Sequence, residues 1–172
     1  MELTETTARW STATPLAALV TVGMAVTVGS ALAFQYIGGY MPCHLCLLER
    51  QPYYYGIPIG VAAVIASLFR LPSWIPHTLL IIIGVMMLVG AGMGIYHSGV
   101  EWGFWAGPSS CTSTPGATTT SAGDLLSSLN MVHGPQCDQA ALRILGLSMA
   151  GWNAVASLVL AAIAFAGAKR AA

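Results

Sequence analysis

Four long apolar blocks constrain the fold of this chain more than any other feature. They cover about residues 16–36, 53–69, 75–96 and 147–168, and each approaches the roughly 20 residues a helix needs to cross a bilayer core. Hydrocarbon offers backbone groups no water to bond, so such blocks must fold as helices that satisfy their own N–H and C=O groups. The chain is 56% hydrophobic and 7% charged over 172 residues, well away from the composition of a soluble domain. The expected fold is therefore an all-α membrane protein, a single domain over residues 1–172 built as a four-transmembrane-helix bundle.

The second block is short alone, and a helix reaching back to residue 43 completes it as a span over 43–69. Pro52 and Pro58 then fall inside it, where a kink is expected. Gly56 with Gly60, and Gly90 with Gly94, are small-x-x-x-small pairs that let helices approach closely. Asn153 and Ser157 on the last block should face the bundle rather than lipid. Ala31-Leu32-Ala33 matches a signal-peptide cleavage site. The apolar run before it is too long for that role, though, and its flank is not positively charged, so the first block reads as a retained helix.

Six basic residues balance six acidic ones, which leaves no field to attract nucleic acid. With four spans, Arg9, Arg70, Lys169 and Arg170 share one side and Arg50 and Arg143 the other, so both termini are expected in the cytoplasm. All four cysteines then lie on the outer side, where disulfides persist. The outer segment, about 98–146, opens with aromatic residues 101–105, suited to the headgroup level. A Ser/Thr/Gly/Pro-rich stretch follows at 107–123 and reads as a loop. Residues 124–132 and 138–147 carry apolar positions at helical spacing, so two short amphipathic helices are expected in the loop.

The chemistry concentrates in Pro42-Cys43-His44-Leu45-Cys46-Leu47-Leu48-Glu49-Arg50. On a helix starting near Pro42, Cys43, Cys46 and Arg50 share one stripe. The dipole and the guanidinium both favour a thiolate there, which marks Cys46 as the more reactive sulfur. Arg50 stays charged in an apolar site and can hold a developing anion. Glu49 can pair with Arg50 or help move a proton. A purely structural Cys43–Cys46 disulfide would constrain little chain. Zinc could draw on His44, His97 or His133 with the cysteines, but the second pair lacks metal-ligand spacing and the compartment is oxidising, so no metal is expected. Haem attachment needs a histidine directly after the second cysteine, and Leu47 stands there. Cys111 and Cys137 flank the Ser/Thr-rich loop, where a disulfide could stabilise the fold or exchange with a partner. His97 lies near the outer end of the third span at the depth expected of Arg50.

Taken together, the Pro-Cys-x-x-Cys motif with Glu49-Arg50, the four spans, the long outer loop with two cysteines and Leu145-Gly146-Leu147-Ser148-Met149 resemble the disulfide bond formation protein B (DsbB) family of bacterial inner-membrane oxidoreductases. The resemblance implies a protein-disulfide:quinone oxidoreductase in the bacterial inner membrane. It would reoxidise a periplasmic thioredoxin-fold DsbA-like protein and pass electrons to the membrane quinone pool, either ubiquinone or menaquinone. By that resemblance Cys111 is the sulfur attacked by the partner, Cys137 exchanges with Cys43, and Cys46 faces the quinone. Arg50 stabilises the thiolate and the reduced quinone anion, His97 lies near the quinone, and Glu49 occupies a family position without an assigned role. Two other readings compete: a vitamin K epoxide reductase-like thiol enzyme, whose C-x-x-C belongs on a late helix, and a non-catalytic membrane protein with structural disulfides.

Overall fold

A computed structural model describes residues 2–108, 137, 140 and 142–172, with side chains from residue 13 onward. Four long helices dominate: α1 (Glu2–Tyr36), α2 (His44–Leu68), α3 (Trp74–Glu101) and α4 (Met149–Ala171). A two-stranded antiparallel hairpin, β1 (Arg143–Ile144) and β2 (Leu147–Ser148), leads directly into α4. Each helix packs on the next, and α4 closes back on α1, with α3 against α4 the most extensive pairing. Neighbours run antiparallel. His77 at the start of α3 bonds the Ala168 carbonyl near the end of α4 at 2.9 Å, while His97 at the far end of α3 meets Cys43 at the start of α2.

The core between the helices holds Val20 and Met24 of α1, Tyr53 and Ala63 of α2, Leu80, Ile83 and Met87 of α3, and Leu160 and Ala164 of α4. The outward face is also apolar, with Val22, Val26, Ile65, Val85, Val89 and Val159 exposed. A surface of that kind is stable against lipid and a liability in water. Among the described residues, three helical segments are long and apolar enough to cross a membrane: Ala13–Tyr36, Trp74–Glu101 and Met149–Ala171. The sequence reading counts four spans. α2 is 25 residues long but is not among the three, because Glu49 and Arg50 interrupt its first turns and Gln51, Pro52 and the three tyrosines 53–55 lower the hydropathy of the rest. Pro52 and Pro58 both lie inside its helical run.

The small residues do what their spacing suggests. A methyl group on Gly94 would meet the Ala150 carbonyl oxygen and the Ala154 amide nitrogen at 2.9 Å, so glycine lets α3 touch the backbone of α4. Backbone cannot step aside cheaply. Gly94→Ala is expected to cost about 1–3 kcal/mol through overpacking, read as a lower thermal midpoint in detergent, with Gly92→Ala, which meets nothing within 4 Å, as the silent control.

The expected helix over 138–147 does not form where the chain is described. Leu145 (φ 54°) and Gly146 (φ 85°) both take positive φ, the conformation a tight two-residue hairpin turn demands. That turn pairs Arg143 with Ser148 and Ile144 with Leu147. The other expected amphipathic helix, over 124–132, lies outside the described residues. The hairpin docks through β1: Trp152 Nε1 donates to the Ile144 carbonyl at 3.0 Å, and the Arg143 guanidinium lies 5.4 Å from the centre of the Trp102 ring. The aromatic stretch after α3 folds back on the last turns of α3, with Trp105 stacked on Tyr96 and its indole N–H donating to the Tyr96 carbonyl at 2.9 Å.

Candidate functional site

The start of α2, the end of α3 and the start of α4 meet at one end of the bundle, and the reactive side chains gather there. Cys43 is the N-cap of α2, and its Sγ accepts the amide hydrogen of Cys46 at 3.2 Å. The positive end of the helix dipole therefore falls on the sulfur of Cys43. The sequence reading, on a helix starting near Pro42, gives that role to Cys46; the difference arises because the helix begins two residues later, at His44, with Cys43 as its cap. Both thiols are free, with sulfurs 2.7 Å apart.

The two sulfurs then diverge in their surroundings. Cys43 is buried and faces His97 Nε2 at 3.6 Å. Cys46 lines a cavity of about 380 Å³ between α1, α2, α4 and the hairpin. Most of that cavity wall is apolar surface, including Val28, Phe34, Met149 and Trp152, and polar side chains enter it from α1 and the loop after it (Thr27, Ser30, Gln35, Tyr40) and from α2 and α4 (Cys46, Glu49, Arg50, Tyr53, Asn153). Arg50 reaches across to the last turns of α1, where Nη1 donates to Gln35 Oε1 and Nη2 to the Ala31 carbonyl at 3.4 Å. The cation thus sits at a helix C-terminus, where it is favoured.

Glu49 does not pair with its neighbour Arg50. It turns the other way, buried, and its Oε1 accepts from His97 Nδ1 at 2.6 Å while Oε2 accepts from Asn153 Nδ2 at 2.9 Å. Adjacent residues on a helix point about 100° apart, so one turn of α2 sends a carboxylate to α3 and α4 and a guanidinium to α1. The Tyr53 hydroxyl donates to Asn153 Oδ1 at 2.7 Å and receives a hydrogen bond from Ser157 Oγ at 2.7 Å. An unbroken chain of contacts therefore runs from Cys43 through His97, Glu49 and Asn153 to Tyr53 and Ser157. Tyr53→Phe would leave Asn153 and Ser157 short of a partner in a buried site. It is expected to cost about 1–3 kcal/mol of stability, measurable as a lower unfolding midpoint of the purified protein.

His97 is 2% exposed. It stands behind Glu49, against Cys43, and is not part of the cavity wall. Glu101, one turn further along α3, brings Oε1 to 3.9 Å from His97 Nε2, and Oε2 has no hydrogen-bond partner among the described residues. Sequence reading placed Glu101 only in an aromatic interface segment; its spacing of four from His97 was the signal available. Cys137 is buried, disulfide-bonded and packed with Cys43 and Leu45. Cys111 lies outside the described residues.

The arrangement has two halves. A disulfide-bonded cysteine presses on Cys43, and Cys46 stands between Cys43 and an apolar-walled cavity with one cation. The family model described as Disulfide bond formation protein DsbB matches residues 13–167. The chain is also 28% identical over 151 residues to "Uncharacterized protein RP370" of Rickettsia prowazekii (strain Madrid E), covering 83% of this chain and 79% of that protein. No solved structure matches.

Proposed function

Because this chain belongs to the disulfide bond formation protein DsbB family, whose members are membrane proteins of disulfide bond formation, we propose that it is a protein-disulfide:quinone oxidoreductase of the bacterial inner membrane. In this reading it reoxidises a DsbA-like thioredoxin-fold protein of the periplasm and delivers the electrons to the membrane quinone pool. The observation that carries the reading is the position of Cys46. Its sulfur lies beside Cys43, which packs on Cys137, and it also lines the cavity that Arg50 enters.

The cavity fits a quinone headgroup by size, by its apolar walls and by the polar groups placed in them. A bound quinone supplies the terminal acceptor for two electrons and two protons. The chain's own residues do the rest. The partner's two thiols become a disulfide while the Cys111–Cys137 pair gains two electrons and two protons. Exchange between Cys137 and Cys43 moves the same pair inward, and Cys43 with Cys46 becomes the dithiol. Arg50 holds positive charge on the cavity wall, where negative charge develops. His97 and Glu49 link Cys43 Sγ to that wall by hydrogen bonds, a path for a thiol proton. α2 serves as the fourth span, with its polar first turns at the outer surface, and both termini lie in the cytoplasm beside Arg70, Lys169 and Arg170.

The test is turnover. Purified chain, mixed with a reduced DsbA-like dithiol protein and a soluble quinone analogue, is expected to oxidise the one and reduce the other in equal amounts. Thiol oxidation without loss of quinone absorbance would remove the quinone from the reading, and no reaction of either would sink it entirely.

A further inference from the structure

Among the described residues, one buried carboxylate has no role in the thiol relay, that of Glu101. Its side chain is 6% exposed, and a buried carboxylate oxygen without a donor is costly. Around it stand other electron-rich atoms. The Sγ atoms of Cys43 and Cys46 and a ring nitrogen of His97 lie within 4.8 Å of one another. Glu101 Oε1 is 3.9 Å from His97 Nε2. Neither Glu101 nor Glu49 is ion-paired to a lysine or arginine among the described residues, since Arg50 is committed to α1.

We propose that the dithiol form of this site binds a thiophilic divalent cation of the Zn²⁺ class through Cys43, Cys46, His97 and Glu101, and that the bound cation halts the relay. The halting rests on the function proposed above; the binding does not. Zinc bonds of about 2.3 Å to sulfur and 2.0–2.1 Å to nitrogen place the two donors roughly 3.6 Å apart in a tetrahedral centre. Cys43 Sγ and His97 Nε2 are 3.6 Å apart. The sulfurs open by about 1 Å, and Glu101, which touches the cluster at His97 and lies outside the 4.8 Å set of the other three, swings its carboxylate inward to complete it. His97 is already oriented as metal-bound histidines are, with Nδ1 on a carboxylate and Nε2 turned to the centre.

Binding releases the two thiol protons to solvent, forms two metal–sulfur bonds and transfers no electrons. The disulfide form offers no thiolate and does not bind. An oxidising compartment disfavours a resident metal here, and the site concerns only the dithiol that each turnover generates.

The test uses the full-length chain in detergent with Cys111→Ser and Cys137→Ser, so that Cys43 and Cys46 are the remaining thiols. Titration of the reduced protein with Cd²⁺ alone should give a sulfur-to-cadmium charge-transfer band saturating at one cation per chain, absent once the pair is oxidised. Glu101→Gln and His97→Ala should each weaken binding by at least roughly tenfold. Absence of a stoichiometric band, or affinity unchanged in Glu101→Gln, overturns the site; that variant lies at the end of α3 and carries the test even if His97→Ala fails to fold. Cd²⁺ binding needs neither partner nor quinone. A chain that turns over but binds no Cd²⁺ defeats this site alone, and one that binds Cd²⁺ but does not turn over defeats the proposed function alone.

Discussion

Cys46→Ser is expected to lower quinone reduction by more than about 10³-fold, the scale on which loss of a catalytic nucleophile acts. Cys46 supplies the sulfur on the cavity wall, and a serine hydroxyl neither forms a disulfide nor offers a comparable nucleophile near neutral pH. In the proposed relay the outer half does not use this residue. Mixed disulfides between the partner and Cys111, seen on non-reducing gels, should still form in the variant. That split between preserved exchange and lost quinone reduction separates a chemical defect from misfolding. Full quinone turnover by Cys46→Ser would refute the placement of the electron exit.

Arg50→Ala carries the second large effect. The guanidinium is held at both ends of its fork, on the Gln35 side chain and the Ala31 carbonyl, so its charge is in place before any reaction begins. Removing one preorganised electrostatic partner costs about 10²–10³ in rate, and kcat/KM for the quinone analogue should fall by that factor. Lysine keeps the charge but not the planar fork, so Arg50→Lys should recover only part of the loss. Gln35→Ala, which frees one arm, should cost less than Arg50→Ala. If Arg50→Ala lowers the unfolding midpoint but leaves kcat/KM intact, the residue merely fastens α2 to α1.

Much of the scaffold was legible because a bilayer forces apolar length to become helix. Residues 16–36, 75–96 and 147–168 became the greater part of α1, α3 and α4. The extra turns of α3 beyond residue 96 were not visible, because hydropathy falls there while the helix continues to Glu101. The hairpin was missed for a different reason. Ala141, Leu142 and Leu145 fit a helical face, and their periodicity outweighed the single Leu145-Gly146 turn signal. Within the site, the cysteine pair and Arg50 could be picked out by residue type and spacing. The direction in which Glu49 turns could not, because the sequence alone does not say which neighbouring helix lies on which side of α2. Glu101 stayed hidden beside three aromatic residues that explained its neighbourhood too easily.

The docking of the hairpin has a kinetic consequence. Only a short stretch of chain separates Cys137, seated on Cys43, from β1, which is fastened to Trp102 and Trp152. A sulfur on so short a leash does not search for its target by diffusion. In the proposed relay it meets Cys43 at an effective concentration set by the leash and independent of how much thiol the solution holds. Lengthening the chain between Cys137 and Arg143 would dilute that encounter without altering a single reactive atom.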